Sequence, residues 1–151
     1  MKKEDMYHYQ GCGLANVWLC NGYNFVETEY GEGVAIENLP ELHKAIGLTL
    51  VQNNPQLNGD EIRFLRIELD LSQVQLSSLL GVSESSLRGW ENNRGEISEP
   101  AERLLRAVYC EFVEGTSHIR GLIEQLGQIN RDIYERGIKM KSGENGWSTA
   151  A

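Results

Sequence analysis

Paired cysteines are missing from this chain. Its three cysteines, Cys12, Cys20 and Cys110, are an odd number without Cys-x-x-Cys spacing, which argues against a disulfide framework and a closed zinc site and leaves free thiols. Long apolar runs are missing too. No stretch approaches the ~20 residues of a membrane span, and Met1-Lys2-Lys3-Glu4-Asp5 lacks the following apolar segment of a signal peptide, so a cytoplasmic protein without a membrane partner is expected. No Gly-rich phosphate loop, nucleophile elbow or His-Glu-x-x-His motif occurs; no catalytic residue, cofactor or enzyme activity is therefore expected. Excess positive charge is absent as well. Fourteen Lys and Arg against 22 Asp and Glu give a net charge of −8, which repels nucleic acid at long range. Contact with nucleic acid must then come from a local patch, because charges beyond a Debye length of about 8 Å are screened.

What is present is a run of helix signals between Leu57 and Val113. Ser72-Gln73-Val74-Gln75 is a capping box, and Val74, Leu76, Leu79 and Leu80 are expected to form the buried stripe of the helix it opens. Gly81 supplies a positive φ for a sharp turn, and Ser83 caps a second helix. The large apolar residues of that helix, Leu87 and Trp90, fix its inner face; at 100° per residue Ser85, Arg88, Gly89 and Asn92 then centre on the opposite side. Arg88 and Arg94, with Asn92 and Asn93 beside them, form the local cationic patch. Asn58-Gly59-Asp60-Glu61 makes another capping box before Ile62–Ile67. Ser98-Glu99-Pro100 opens a helix bearing Ala101, Leu104, Leu105, Val108, Tyr109 and Phe112.

This stretch resembles the Xre or lambda-repressor-like helix-turn-helix family, matched by Leu71, Ser72-Gln73, Leu79-Leu80, Gly81-Val82-Ser83, Leu87 and Trp90-Glu91. The resemblance implies a double-stranded DNA operator as partner, with the base-reaching positions matched by Glu84, Ser85 and Gly89 and with Gln73 touching backbone or base; Gly89 departs from the pattern, because without a side chain it cannot read a base. Glu91 lies toward the Leu87–Trp90 face, and the resemblance pairs it with Arg66 in a structural ion pair. The expected DNA-binding set is Gln73, Ser83, Glu84, Ser85, Ser86, Arg88, Gly89, Asn92, Asn93 and Arg94.

Residues 1–52 read as a small α+β module. Val17–Cys20 and Tyr23–Tyr30 are strand-like runs on either side of Asn21-Gly22, a type I′ hairpin signal, and Gly31-Glu32-Gly33 turns into Val34-Ala35-Ile36. Asn38-Leu39-Pro40-Glu41 opens a helix that Gly47 is expected to end, followed by a linker over Val51–Gln56. This front segment resembles the MqsA-type antitoxins and related regulators through Tyr7-His8-Tyr9, Gly13–Val17, Tyr30–Val34, Leu42–Gly47 and Glu61–Arg66. It departs from them in carrying single cysteines where they carry paired zinc ligands. His8, Cys12 and Cys20, with His43 as a fourth, are the conceivable metal set, but their spacing is unlike paired ligands and no metal is expected.

Beyond the helix-turn-helix domain at residues 57–114, Ile119, Leu122, Leu126, Ile129 and Ile133 fall three or four apart. They trace a narrow seam on a helix expected at 117–137, which either packs on the body or joins two copies as a homodimer. Residues 138–151 have little to bury and are expected to be a flexible tail. The fold class expected is α+β: an N-terminal antiparallel β module, an all-α helix-turn-helix domain and a C-terminal helix. The function expected is a sequence-specific transcriptional regulator, a repressor acting as a dimer. The alternative is an antitoxin of a type II pair that binds a toxin protein and autorepresses its operon.

Overall fold

The computed structural model describes residues 5–129 and 135–150. The chain divides into two units, one through residue 120 and one from residue 121. The first is mixed α and β with its core among five helices: α1 (Leu39–Asn53), α2 (Gly59–Glu68), α3 (Gln73–Leu80), α4 (Glu84–Glu91) and α5 (Glu99–Glu114). Leu65, Leu76, Leu87, Leu105 and Tyr109 are wholly buried at its centre, with Val51, Ile62, Phe64 and Val108 around them.

Local chemistry sets the ends of these helices. Asn58 and Ser72 each accept the amide of the residue three on, Glu61 and Gln75, whose side chains return to the cap amide. At their C-termini α2, α3, α4 and α5 close alike, with a left-handed residue at Asp70, Gly81, Asn93 and Gly115. The next amide then reaches back to a carbonyl of the last turn, as from Leu71 to Arg66, Val82 to Ser77, Arg94 to Gly89 and Thr116 to Glu111.

Helix α1 departs from the sequence expectation. It does not stop at Gly47 but runs to Asn53, and Val51, assigned to a linker, is buried in the core. Gly47 is there for proximity: a Cβ at that position would lie 2.0 Å from the Tyr109 hydroxyl. The absence of a side chain thus lets α1 lie against α5. Arg106 caps the free C-terminal carbonyls of α1, donating to Val51 at 3.0 Å, while Glu102 accepts from the Leu57 amide and pairs with Arg106. With α1 in the same core as α2 to α5, residues 53–56 do not divide the chain into two modules.

The strands pair differently from the expectation. β1 (Tyr7–His8) pairs with β2 (Trp18–Leu19), and β3 (Tyr23–Thr28) with β4 (Gly31–Ile36). Asn21-Gly22 therefore does not join a hairpin; the hairpin turn is Glu29-Tyr30, followed by Gly31 at φ 112°. The positive φ at that position suits a glycine, and Thr28 pairs directly with Gly31 across the two-residue loop. In α3 the buried side chains are Leu76, Ser77 and Leu80, whereas Val74 is 57% exposed. Two positions before Leu76 is a rotation of about 200° at 100° per residue, so Val74 faces out.

In the second unit, α6 (His118–Leu126), which begins in the first, ends where Gly127 follows. The helix expected over 117–137 is thus shorter, with Gly121 and Gly127 lowering its propensity. β5 (Met140–Gly143) and β6 (Gly146–Thr149) form an antiparallel hairpin in place of the expected flexible tail; Gly146 at φ 96° closes its turn. No helix among the described residues is long and apolar enough to cross a membrane.

Candidate nucleic-acid interface

Helix α4 is eight residues long and faces the core with Leu87, fully buried, and Glu91, 1% exposed. A buried carboxylate needs compensation. Arg66 supplies it with two parallel bonds, Nε to Oε2 and Nη2 to Oε1, both 2.9 Å. The remaining Arg66 nitrogen donates to the Leu71 carbonyl at 3.1 Å, just before the cap of α3. Arg63 adds a longer contact to the carboxylate, 3.5 Å, and donates to the Glu91 carbonyl at 3.1 Å. One guanidinium thereby ties the end of α2, the chain leading into α3, and the end of α4. Gly59 completes the junction, because a Cβ there would lie 2.5 Å from the carbonyl oxygens of both Trp90 and Glu91.

The opposite side of α4 carries Ser85, Arg88 and Asn92, all exposed, with the half-buried Gly89 among them. A Cβ on Gly89 would meet nothing. Apart from Gly89 and Glu84, the expected site residues divide into three groups. Ser83 and Ser86 build the cap of α4: the Ser83 hydroxyl accepts the Ser86 amide at 3.0 Å and lies 2.8 Å from the Ser86 hydroxyl. Asn93, at φ 56°, serves the scaffold, its side-chain oxygen accepting the Gly59 amide at 2.9 Å. Gln73, Ser85, Arg88, Asn92 and Arg94 remain for an outward role, with Gln73 half-buried at the start of α3 and Arg94 exposed after α4. Arg88 is held along the helix by Glu84, one turn earlier, and its carbonyl accepts from the Asn92 amide group. The Arg88–Glu84 pair and the scaffold use of Asn93 were not anticipated from sequence, although the i,i+4 spacing of Glu84 and Arg88 was visible there.

Two capped helices joined at a left-handed Gly81, with the second buried on one side and polar on the other, constitute a helix-turn-helix. The comparisons agree: residues 62–101, from α2 to the start of α5, match the family model described as helix-turn-helix. That segment is thus similar to the helix-turn-helix family, the kind of domain by which regulators bind DNA. No curated protein and no solved structure matches the chain.

The conceivable metal set does not converge. His8 lies 2.8 Å from the Ala15 carbonyl and stacks on Trp18, and the Cys20 thiol contacts Met6. His43 stands between the Tyr9 hydroxyl at 2.8 Å and the Glu68 carboxylate at 3.4 Å. Among the described residues no three metal-ligating side chains come together. Desolvation by burial raises the Cys110 thiol above its ordinary range, with Glu114 adding to the effect.

Along the expected dimer seam, Ile119 packs partly against the core of the first unit, while Leu122, Leu126 and Ile129 are exposed. Ile129 lies beyond the end of α6, and Ile133 lies outside the described residues.

Proposed function

We propose that this protein is a sequence-specific transcriptional repressor that places α4 in the major groove of an operator and binds as a homodimer. The observation that carries the reading is the two-sidedness of α4: a buried carboxylate locks its inner face to α2, and small polar residues with one arginine occupy its outer face. A groove-reading helix needs that combination of rigid seating and close approach. Ser85, Asn92 and Gln73 supply donors and acceptors for base edges or phosphates, and Arg94 supplies a phosphate contact. Arg88 exchanges Glu84 for DNA on binding.

One short helix in a chain of net charge −8 gives a weak single-site complex, and two half-sites held together offset that weakness. Leu122 and Leu126, exposed on α6, are the proposed dimer contact, with Ile129 beside them. The test is fluorescence polarisation on the DNA upstream of the protein's own gene. Arg88→Ala and Arg94→Ala should each weaken binding and lower the salt slope by about 0.9 per phosphate contact removed. Unchanged affinity and slope in both would remove the α4 face from DNA. Leu122→Asp with Leu126→Asp should give a folded monomer by sedimentation; a persisting dimer would move the contact elsewhere.

The antitoxin reading keeps the same DNA domain and adds a toxin protein as partner. It is favoured by the N-terminal resemblance to MqsA-type antitoxins together with an exposed hairpin outside the helix-turn-helix. Co-expression with the neighbouring open reading frame tests it: a stable complex that neutralises a growth-inhibiting product supports it, and no interaction rejects it.

A further inference from the structure

The β3–β4 hairpin lies outside the residues proposed to read DNA, and none of its residues from Tyr23 to Ile36 is buried. Directly paired residues share a face of a sheet. The register Tyr23↔Ile36, Phe25↔Val34 and Glu27↔Glu32 therefore sets two aromatic and two aliphatic side chains beside two carboxylates. The Tyr7 ring lies 5.3 Å from Tyr23 and 6.3 Å from Phe25, yet Phe25 remains 60% exposed and Tyr30, at the tip, 98%. This arrangement is unfavourable for the hairpin by itself. Tyr23, Val34 and Ile36 are half-buried, so the open part of this face is Phe25 with the two carboxylates beside it; a two-stranded ribbon is marginal in water by itself, and like charges placed directly opposite one another destabilise the pairing.

We propose that the Phe25 face of this hairpin is a docking surface for a cationic, partly apolar polypeptide segment of another protein. Charge selects the occupant. Residues 5–43 hold Asp5, Glu27, Glu29, Glu32, Glu37 and Glu41 and no lysine or arginine. Nucleic acid or an anionic membrane would bring phosphates against Glu27 and Glu32, and a second copy of the hairpin would bring the same carboxylates together. An arginine, in contrast, stacks on Phe25 or Tyr23 while pairing with a neighbouring carboxylate. The two open strand edges also offer backbone groups to an added strand. The proposal rests on neither the operator nor the antitoxin reading.

The test uses the full chain and a fluorescein-labelled peptide of alternating arginine and valine, with serine–valine and glutamate–valine peptides as comparisons. The arginine peptide should bind, more weakly at high salt, and the other two should not. Glu27→Lys with Glu32→Lys should weaken binding by about ten-fold or more, since like charges then face each other. Phe25→Ser, which leaves the charge untouched, should weaken it as well. Glu114→Lys with Glu144→Lys, an equal change of charge at exposed residues outside that acidic segment, should leave affinity within about two-fold. Unchanged thermal melting of the variants shows that the helical body is intact. Absence of arginine-peptide binding, equal binding of the serine peptide, or equal losses in the two charge-reversal pairs would overturn the proposal. So would sedimentation showing self-association abolished by Phe25→Ser, because the occupant would then be a second copy.

Discussion

Gly47 stands in the middle of α1 and Gly89 in the middle of α4, and an added methyl group would meet very different things at the two sites. At Gly47 it would lie 2.0 Å from the Tyr109 hydroxyl; at Gly89 it would meet no atom of the protein within 4 Å. Each glycine weakens its helix by up to about 1 kcal/mol relative to alanine. For α1 the return is visible inside the molecule, as contact between α1 and α5. For α4 no contact inside offsets the cost; under the proposed function the return is a bare backbone that admits DNA closer than a side chain would. The same contrast separates the two sides of α4: Leu87 and Glu91 are fixed by the core, whereas Ser85, Arg88 and Asn92 are exposed.

Substitutions on the inward side should have the largest effects. Glu91→Ala leaves Arg66 without its partner and should lower stability by about 4 kcal/mol, read from the urea midpoint; an unchanged midpoint would break the inward half of the comparison. Gly47→Ala forces α1 off α5 and should cost about 3 kcal/mol as overpacking. Wild-type stability in that variant would mean that the two helices have room to spare.

The Tyr109 hydroxyl above Gly47 makes the same junction sensitive to alkali. Burial, with help from Glu68 and Cys110, pushes its pKa from 10.0 up to about 12. Because the folded value is the higher one, the unfolded chain deprotonates first: this contribution to stability is complete below pH 10 and lost as pH rises to about 12. Its size is at most about 3 kcal/mol. Tyr109→Phe should flatten this dependence while giving up only a 3.5 Å contact to the His43 carbonyl; equal alkaline loss in the variant would assign it to other groups. The smallest expected effect has the opposite sign. Gly89→Ala should stabilise the fold by about 1 kcal/mol while weakening operator binding. A variant that is more stable and binds equally well would show that α4 does not need a bare backbone at that point.

The parts of this architecture legible in the sequence are those written in local chemistry. Ser-x-x-Gln at Ser72 and Asn-x-x-Glu at Asn58 specify helix starts through bonds within four residues. Leu87, Trp90 and Glu91 mark one side of α4 by their spacing. The parts that differ from the sequence expectation depend on distant residues. A glycine four residues before Val51 looks the same whether it ends a helix or admits a tyrosine from α5, and only the fold distinguishes the two. Asn21-Gly22 marks a turn but does not say which strands pair across it; β2 instead pairs with β1. In the candidate site the outward position of Arg88 followed from helix periodicity. The scaffold role of Asn93 did not, because its partner Gly59 is 34 residues away in sequence.

That last bond has a spectroscopic consequence. The first amides of a helix ordinarily lack an intrahelical acceptor and exchange rapidly with solvent, but the Gly59 amide, the first in α2, is buried and bonded to the Asn93 side chain. Its proton should therefore exchange with deuterium about as slowly as those in the middle of the core. Glycine amides are readily distinguished in a nitrogen-correlated NMR spectrum, so this one resonance reports on the seating of α4. If Asn93 stays with the scaffold when DNA binds, the Gly59 signal keeps its protection; if Asn93 turns to the DNA, protection at Gly59 disappears while the neighbouring amides of α2 retain theirs.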